Sequence, residues 1–226
     1  MAWGPQMKLV VLTLLLAVAT PAFADDVHLN GMAEAVVASE WAEPTKVDDY
    51  FFNPIRFDSQ EVETSFLPDY TYLVAVQETF GGSPVSEEIF EGTPFTWLCY
   101  ETDTARTTFV SVRLGEGDDS IVPPIAPGPV LSVIVEEQNA PPNATCTTNA
   151  AAASPSPGND IPTLGATTAD LQARFGSAPI DPGGHLAYVT EYAMGDEVGW
   201  TEQKIIYYRL ENGVVTGVAY RLNTIH

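Results

Sequence analysis

The sequence predicts an α+β fold: short helices packed on one face of an antiparallel sheet, arranged as two tandem helix-plus-sheet units. Three observations predict it. Short segments with a narrow apolar stripe lie next to runs of β-branched and aromatic residues. Asn212-Gly213, the strongest hairpin signal in the chain, sits between two such runs. A stretch rich in Pro, Ala and Asn, residues 139–160, separates two regions of similar vocabulary.

Residues 1–24 read as a secretory signal peptide. Lys8 precedes the apolar run 9–19, and Ala22 and Ala24 give the A-x-A spacing, with cleavage expected before Asp25. The run is too short and wrongly flanked for a membrane anchor. No cysteine lies at the cleavage site to carry a lipid. The expectation is an exported chain, periplasmic or secreted. The remainder divides into an acidic, β-rich region with one helix (25–138), a linker or surface loop (139–160) and an α+β module (161–226).

The formal net charge is -21. Residues 25–148 hold 22 acidic and 4 basic residues, and residues 161–226 hold 7 and 4. Such a surface repels nucleic acid and anionic headgroups. It suits solubility, a basic protein partner or weakly held divalent cations. A merely solvated acidic surface is the plainer reading.

In the first region, residues 31–44 read as a helix, with Ala33, Val36, Val37 and Trp41 apolar and Pro44 as the stop. Strand candidates follow at 49–57, 70–79, 95–102, 107–114 and 130–138. Phe80-Gly-Gly-Ser-Pro84 matches Phe175-Gly-Ser-Ala-Pro179. The Tyr, Thr and Val content of 68–79 nevertheless favours a strand there. Helix 31–42 is therefore taken as the counterpart of helix 167–175.

The second region is more legible. Thr167 caps a helix with Asp170 three residues on, Leu171 and Phe175 form its stripe, and Gly176 and Pro179 end it. Strands are expected at 185–192, 203–210 and 214–222. A two-residue turn at Asn212-Gly213 sets Leu210 opposite Val215, Tyr208 opposite Gly217 and Ile206 opposite Ala219. On the other face Arg209 opposes Thr216, Tyr207 opposes Val218 and Ile205 opposes Tyr220. Gly217 and Ala219 leave room for close packing, so Leu171 and Phe175 are expected to insert there. Tyr207, Val218 and Tyr220 then point away from the helix.

Cys99 and Cys146 are the two cysteines. In an oxidising compartment they read as a disulfide, with two free thiols as the alternative. Closing a loop of about 46 residues stabilises by roughly 4 kcal/mol in the chain-entropy account.

Gly165, Thr167, Asp170, Leu171, Phe175, Gly176 and, one position late, Pro179, with the terminal Asn212-Gly213 hairpin, carry a resemblance. Residues 165–222 resemble the module shared by BamE/SmpA-type envelope proteins and secreted β-lactamase-inhibitor proteins. The resemblance implies a non-catalytic protein that holds a protein partner across an exposed sheet face. The chain departs from the first group in lacking a lipid-bearing cysteine. It departs from the second in its longer, more acidic N-terminal region.

Chemistry-bearing motifs are sparse. There is no G-x-S-x-G elbow and no phosphate loop. His28, His185 and His226 are scattered, and Glu87-Glu88 and Asp118-Asp119 arise readily in so acidic a chain. Residues 115–120 lack the alternating ligands of a calcium loop. No catalytic residue, cofactor or specific metal site is expected. Asn143-Ala-Thr145 is a sequon that matters only on a eukaryotic route. The best constellation is aromatic: Tyr188, Tyr192, Tyr207 and Tyr220 with Trp200, either a protein-binding face or a core between the two regions. Three functions follow: an exported protein-binding module, an envelope structural or stress protein without a discrete ligand, and an unrecognised hydrolase.

Overall fold

Asn212 and Gly213 hold φ at 53° and 79°, the left-handed pair that a two-residue hairpin turn requires. They join β11 (Trp200–Glu211) to β12 (Val214–Ile225). The computed structural model describes residues 29, 31–38, 43–48, 55–58, 63–66, 72–82, 86–90, 92–112, 130–138, 146–152, 155–158, 160–194 and 200–225. The expected signal peptide, the sequon, residues 115–120, Trp41, His28 and His226 lie outside the described residues, as does the side chain of Trp200.

The remaining elements are α1 (Gly31–Ala38), β1 (Thr45–Lys46), β2 (Ile55–Asp58), β3 (Glu63–Phe66), α2 (Leu73–Phe80), β4 (Ser86–Phe90), β5 (Thr93–Glu101), β6 (Ala105–Val112), β7 (Val130–Glu137), β8 (Thr147–Thr148), β9 (Pro155–Ser156), α3 (Thr168–Phe175) and β10 (His185–Met194). Nine strands form one sheet in the order β1-β10-β11-β12-β7-β6-β5-β4, with β8 also on β5. The β1–β10 and β5–β8 pairs are parallel and the other pairs antiparallel. A small sheet, β3-β2-β9, carries Ile55 and Phe57 into the core under α2.

The expected α+β arrangement is corrected. The fold is mainly sheet, with three eight-residue helices among the described residues. The sheet is also continuous. β12 pairs with β7 from Gly217↔Glu136 to Arg221↔Ser132, so both regions contribute strands to one large sheet. Nor do the helices share one face. Leu73, Val76 and Phe80 of α2 and Leu171 and Phe175 of α3 join one core with Tyr188, Tyr208 and Tyr220. Met32, Ala33 and Val36 of α1 join a second core, on the opposite face, with Tyr207 and Ala219.

A β-bulge explains the exchange of faces. Leu210 opposes Val215 as expected, but the register shifts between Arg209 and Leu210. Beyond it Tyr208 opposes Val218, Tyr207 opposes Ala219 and Ile206 opposes Tyr220. One extra residue moves every later partner to the other face. Val218 and Tyr220 therefore join the core on the face of α2 and α3, and Gly217 and Ala219 lie on the α1 face. The room left by Gly217 is filled by Met32: a Cβ at Gly217 would stand 2.7 Å from its Sδ.

The strand expected over 70–79 is a helix from Leu73. Leu73, Val76 and Phe80 fall at helical spacing and all three are buried, and this outweighs the β-propensity of the segment. Phe80-Gly81 and Phe175-Gly176 end their helices alike. Gly81 and Gly176 have φ of 86° and 84°, and their amides donate to Gln77 O and Gln172 O. Tyr100 Oη donates to Gly81 O at 3.1 Å, and Tyr188 Oη to Gly176 O at 3.0 Å. The counterpart of α3 is thus α2, not residues 31–42. The stretch 139–160 is also more than a linker, because it supplies β8 and β9. Cys99 and Cys146 form a disulfide, with Cα atoms 4.5 Å apart.

Candidate functional site

The aromatic constellation does not converge on one surface. Tyr188 on β10 and Tyr220 on β12 are 1% and 0% exposed and belong to the α3 core. Phe175 of α3 joins the same core, its ring 4.8 Å from Tyr188 and 6.4 Å from Tyr208. Burial raises the hydroxyl pKa of Tyr188 and Tyr220, and raises that of Tyr208 well above its ordinary value. Tyr207 alternates to the α1 face and is also buried; burial raises its pKa, against a lowering from the Arg221 guanidinium. Tyr192 is half-buried. Trp200 is the first residue of β11, opposite Met194. The sequence could not separate core from surface here, because aromatic strands look alike on either side of a sheet.

Several charged groups inside the fold meet polar or aromatic partners among the described residues. On the α1 face Glu136 Oε1 accepts both from Met32 N–H and from Arg209 Nη1, each at 2.8 Å. One carboxylate thus satisfies the start of a helix and a guanidinium. Glu101 accepts from Arg106 at 3.4 Å and from Gln138 at 3.1 Å. On the other face Lys204, 1% exposed, lies over the Tyr192 ring at 5.8 Å, and Tyr192 Oη donates to buried Glu202. These groups hold strands together. His185 contacts Asp181, Nδ1 to Oδ2 at 3.3 Å, and its amide donates to Asp181 Oδ1 at 2.8 Å, which closes the turn before β10. No group of three or more metal-ligating side chains occurs among the described residues. No helix among them is long and apolar enough to cross a membrane.

What the fold does present is the β4 edge. Phe90 pairs with Thr93, so β4 and β5 form a tight hairpin, with Gly92 at φ 84°. β4 is the last strand at this end of the sheet among the described residues. Ile89 is 73% exposed there. A hollow of about 280 Å³ is lined by Glu87, Glu88, Ile89, Pro94, Phe95 and Thr96. Glu88 belongs partly to the interior, since its Oε2 accepts from Leu29 N–H at 2.9 Å. The local signal for this hairpin is Gly92, directly before Thr93, where a positive φ suits glycine. A second hollow of about 190 Å³ lies where β12, β7 and β6 meet, beside Val135, Val218 and Tyr220. It is small for a ligand pocket.

No family model, curated protein or solved structure matches this chain.

Proposed function

We propose that the protein is an exported protein-binding module that takes an extended, basic segment of a partner along the β4 edge of its sheet. The observation that carries this reading is Ile89, a large apolar side chain 73% exposed on the last described strand at one end of the sheet. An edge strand offers main-chain donors and acceptors, and alternate side chains set specificity. Glu87 is exposed beside Ile89, and the chain carries a net charge of -21, so a cationic segment is favoured over an anionic one. Export rests on the signal-like residues 1–24 and on a disulfide that suits an oxidising compartment. In this reading Tyr188 and Tyr220 build the core on one face of the sheet and Tyr207 the core on the other, rather than a binding face.

Two measurements test it. The intact mass of the protein recovered outside the cytoplasm should correspond to a chain starting at Asp25. For binding, the probes are two synthetic peptides of alternating Val with either Lys or Glu, followed by titration calorimetry. The Lys peptide should bind, more weakly as salt is raised, and Ile89→Ser should weaken it about tenfold or more. Equal binding of the Lys and Glu peptides, or indifference to Ile89→Ser, would reject the β4 site.

A further inference from the structure

The segment 146–152 ties two separate elements together. Its strand β8 pairs with β5 at Tyr100↔Thr147 and Glu101↔Thr148, and Asn149 N–H donates to Glu101 O at 3.1 Å. From there it reaches the carboxyl end of α2. Asn149 Nδ2 donates to Phe80 O at 2.7 Å, and Thr147 Oγ1 to Gly82 O at 3.4 Å. Phe80 O is one of the carbonyls a helix's own ladder leaves without a donor. Asn149 Oδ1 accepts from Ala151 and Ala152 N–H at 2.9 and 3.3 Å and so turns the chain inward.

Little apolar surface holds this strap. Within it only Ala152 is fully buried. Its covalent tie is Cys146, at its start, to Cys99 of β5. β5 itself does not depend on the strap. It pairs with β6 from Phe95 to Glu101, and its Tyr100 packs against Phe80 and Phe109 at ring distances of 5.6 and 6.0 Å. β4 covers the outer edge of β5 only from Thr93 to Trp97.

From this geometry we infer that the Cys99–Cys146 disulfide is a clasp: its reduction frees residues 146–152 from β5 and α2 while the sheet stays folded. Release uncovers a strand-acceptor edge at Tyr100–Glu101 and the carboxyl end of α2. The inference is independent of what binds at β4. A dithiol is the reductant required. Its thiolate attacks the half-buried Cys146 sulfur rather than the buried Cys99 sulfur, and Cys99 leaves as a thiolate and takes up a proton. The second dithiol sulfur, as its thiolate, then closes onto the first. Cys146 is released and protonated, and the dithiol ends as a cyclic disulfide.

Hydrogen exchange of the folded chain with and without dithiothreitol tests this, with alkylation mass spectrometry to count free thiols. Reduction should accelerate exchange at Asn149, Ala151 and Ala152 by about tenfold or more while β11 and β12 keep their rates. Cys99→Ser/Cys146→Ser should give the same pattern without reductant. Three results on the native protein overturn the clasp: no acceleration in 146–152 once both thiols are free, equal acceleration in β11 and β12, or no reduction at all.

Discussion

Gly217 shows how much one missing side chain decides. It sits opposite Arg209 just past the bulge, and Met32 occupies the space a Cβ would take. Gly217→Val should cost about 1–3 kcal/mol, because extra methyl groups in a filled space force rotamer and backbone shifts. Adding Met32→Ala should recover part of that loss, since the two residues share one space. Denaturant unfolding of both single variants and the double variant checks this, and strictly additive losses would contradict the contact. The sequence singled out Gly217 as a place of close packing. It misassigned the occupant, because the bulge beside Arg209 leaves no mark in composition or spacing.

At the scale of elements, α3 is the one that local residues specify almost completely. Thr167 Oγ1 accepts from Asp170 N–H at 3.3 Å, and Asp170 Oδ2 accepts from Thr167 N–H at 2.7 Å. The Thr167 hydroxyl and amide hold the Asp170 carboxyl below its ordinary 3.8. A depressed carboxyl pKa makes a stability contribution that is present above pH 3.8 and lost as pH falls through the lower folded value. Scanning calorimetry over the acid range should therefore show Asp170→Asn less stable than wild type above that pH, with the gap closing below it. A gap that persists in strong acid would place the effect elsewhere. Thr167→Ala should cost about 1 kcal/mol at neutral pH. α2 has no side-chain cap at Tyr72, so its start carries no comparable local signal. Only its buried stripe of Leu73, Val76 and Phe80 marks it, and that stripe competes with a β-prone composition.

The whole molecule is organised around two clusters of rings on one face of a continuous sheet. Phe80, Tyr100 and Phe109 form one, and Phe175, Tyr188 and Tyr208 the other. Burial pushes the Tyr100 hydroxyl up to about 12, and those of Tyr188, Tyr207, Tyr208 and Tyr220 also lie above the ordinary 10.0. The folded state keeps these protons when the unfolded chain has lost them. The stability they contribute is full below pH 10.0 and is lost as pH rises from there through about 12. Alkaline difference absorbance should show part of the tyrosines ionising near their ordinary value and the buried ones only together with loss of tertiary circular dichroism. Smooth ionisation of all nine tyrosines before unfolding would contradict the burial.

The sequence by itself determined the α3 cap and stop, the Asn212-Gly213 hairpin, most of the long strands and the Cys99–Cys146 pairing. Each depends on residues close in the chain or, for the disulfide, on there being two cysteines to pair. Tertiary structure alone decided the faces and the neighbours. The β12–β7 pairing made one sheet of two regions, and the bulge at Arg209 turned Tyr220 inward and Gly217 toward α1. The physical reason is the two-residue period of a strand. A single inserted residue reverses every side chain beyond it, and only long-range packing fixes which face is buried.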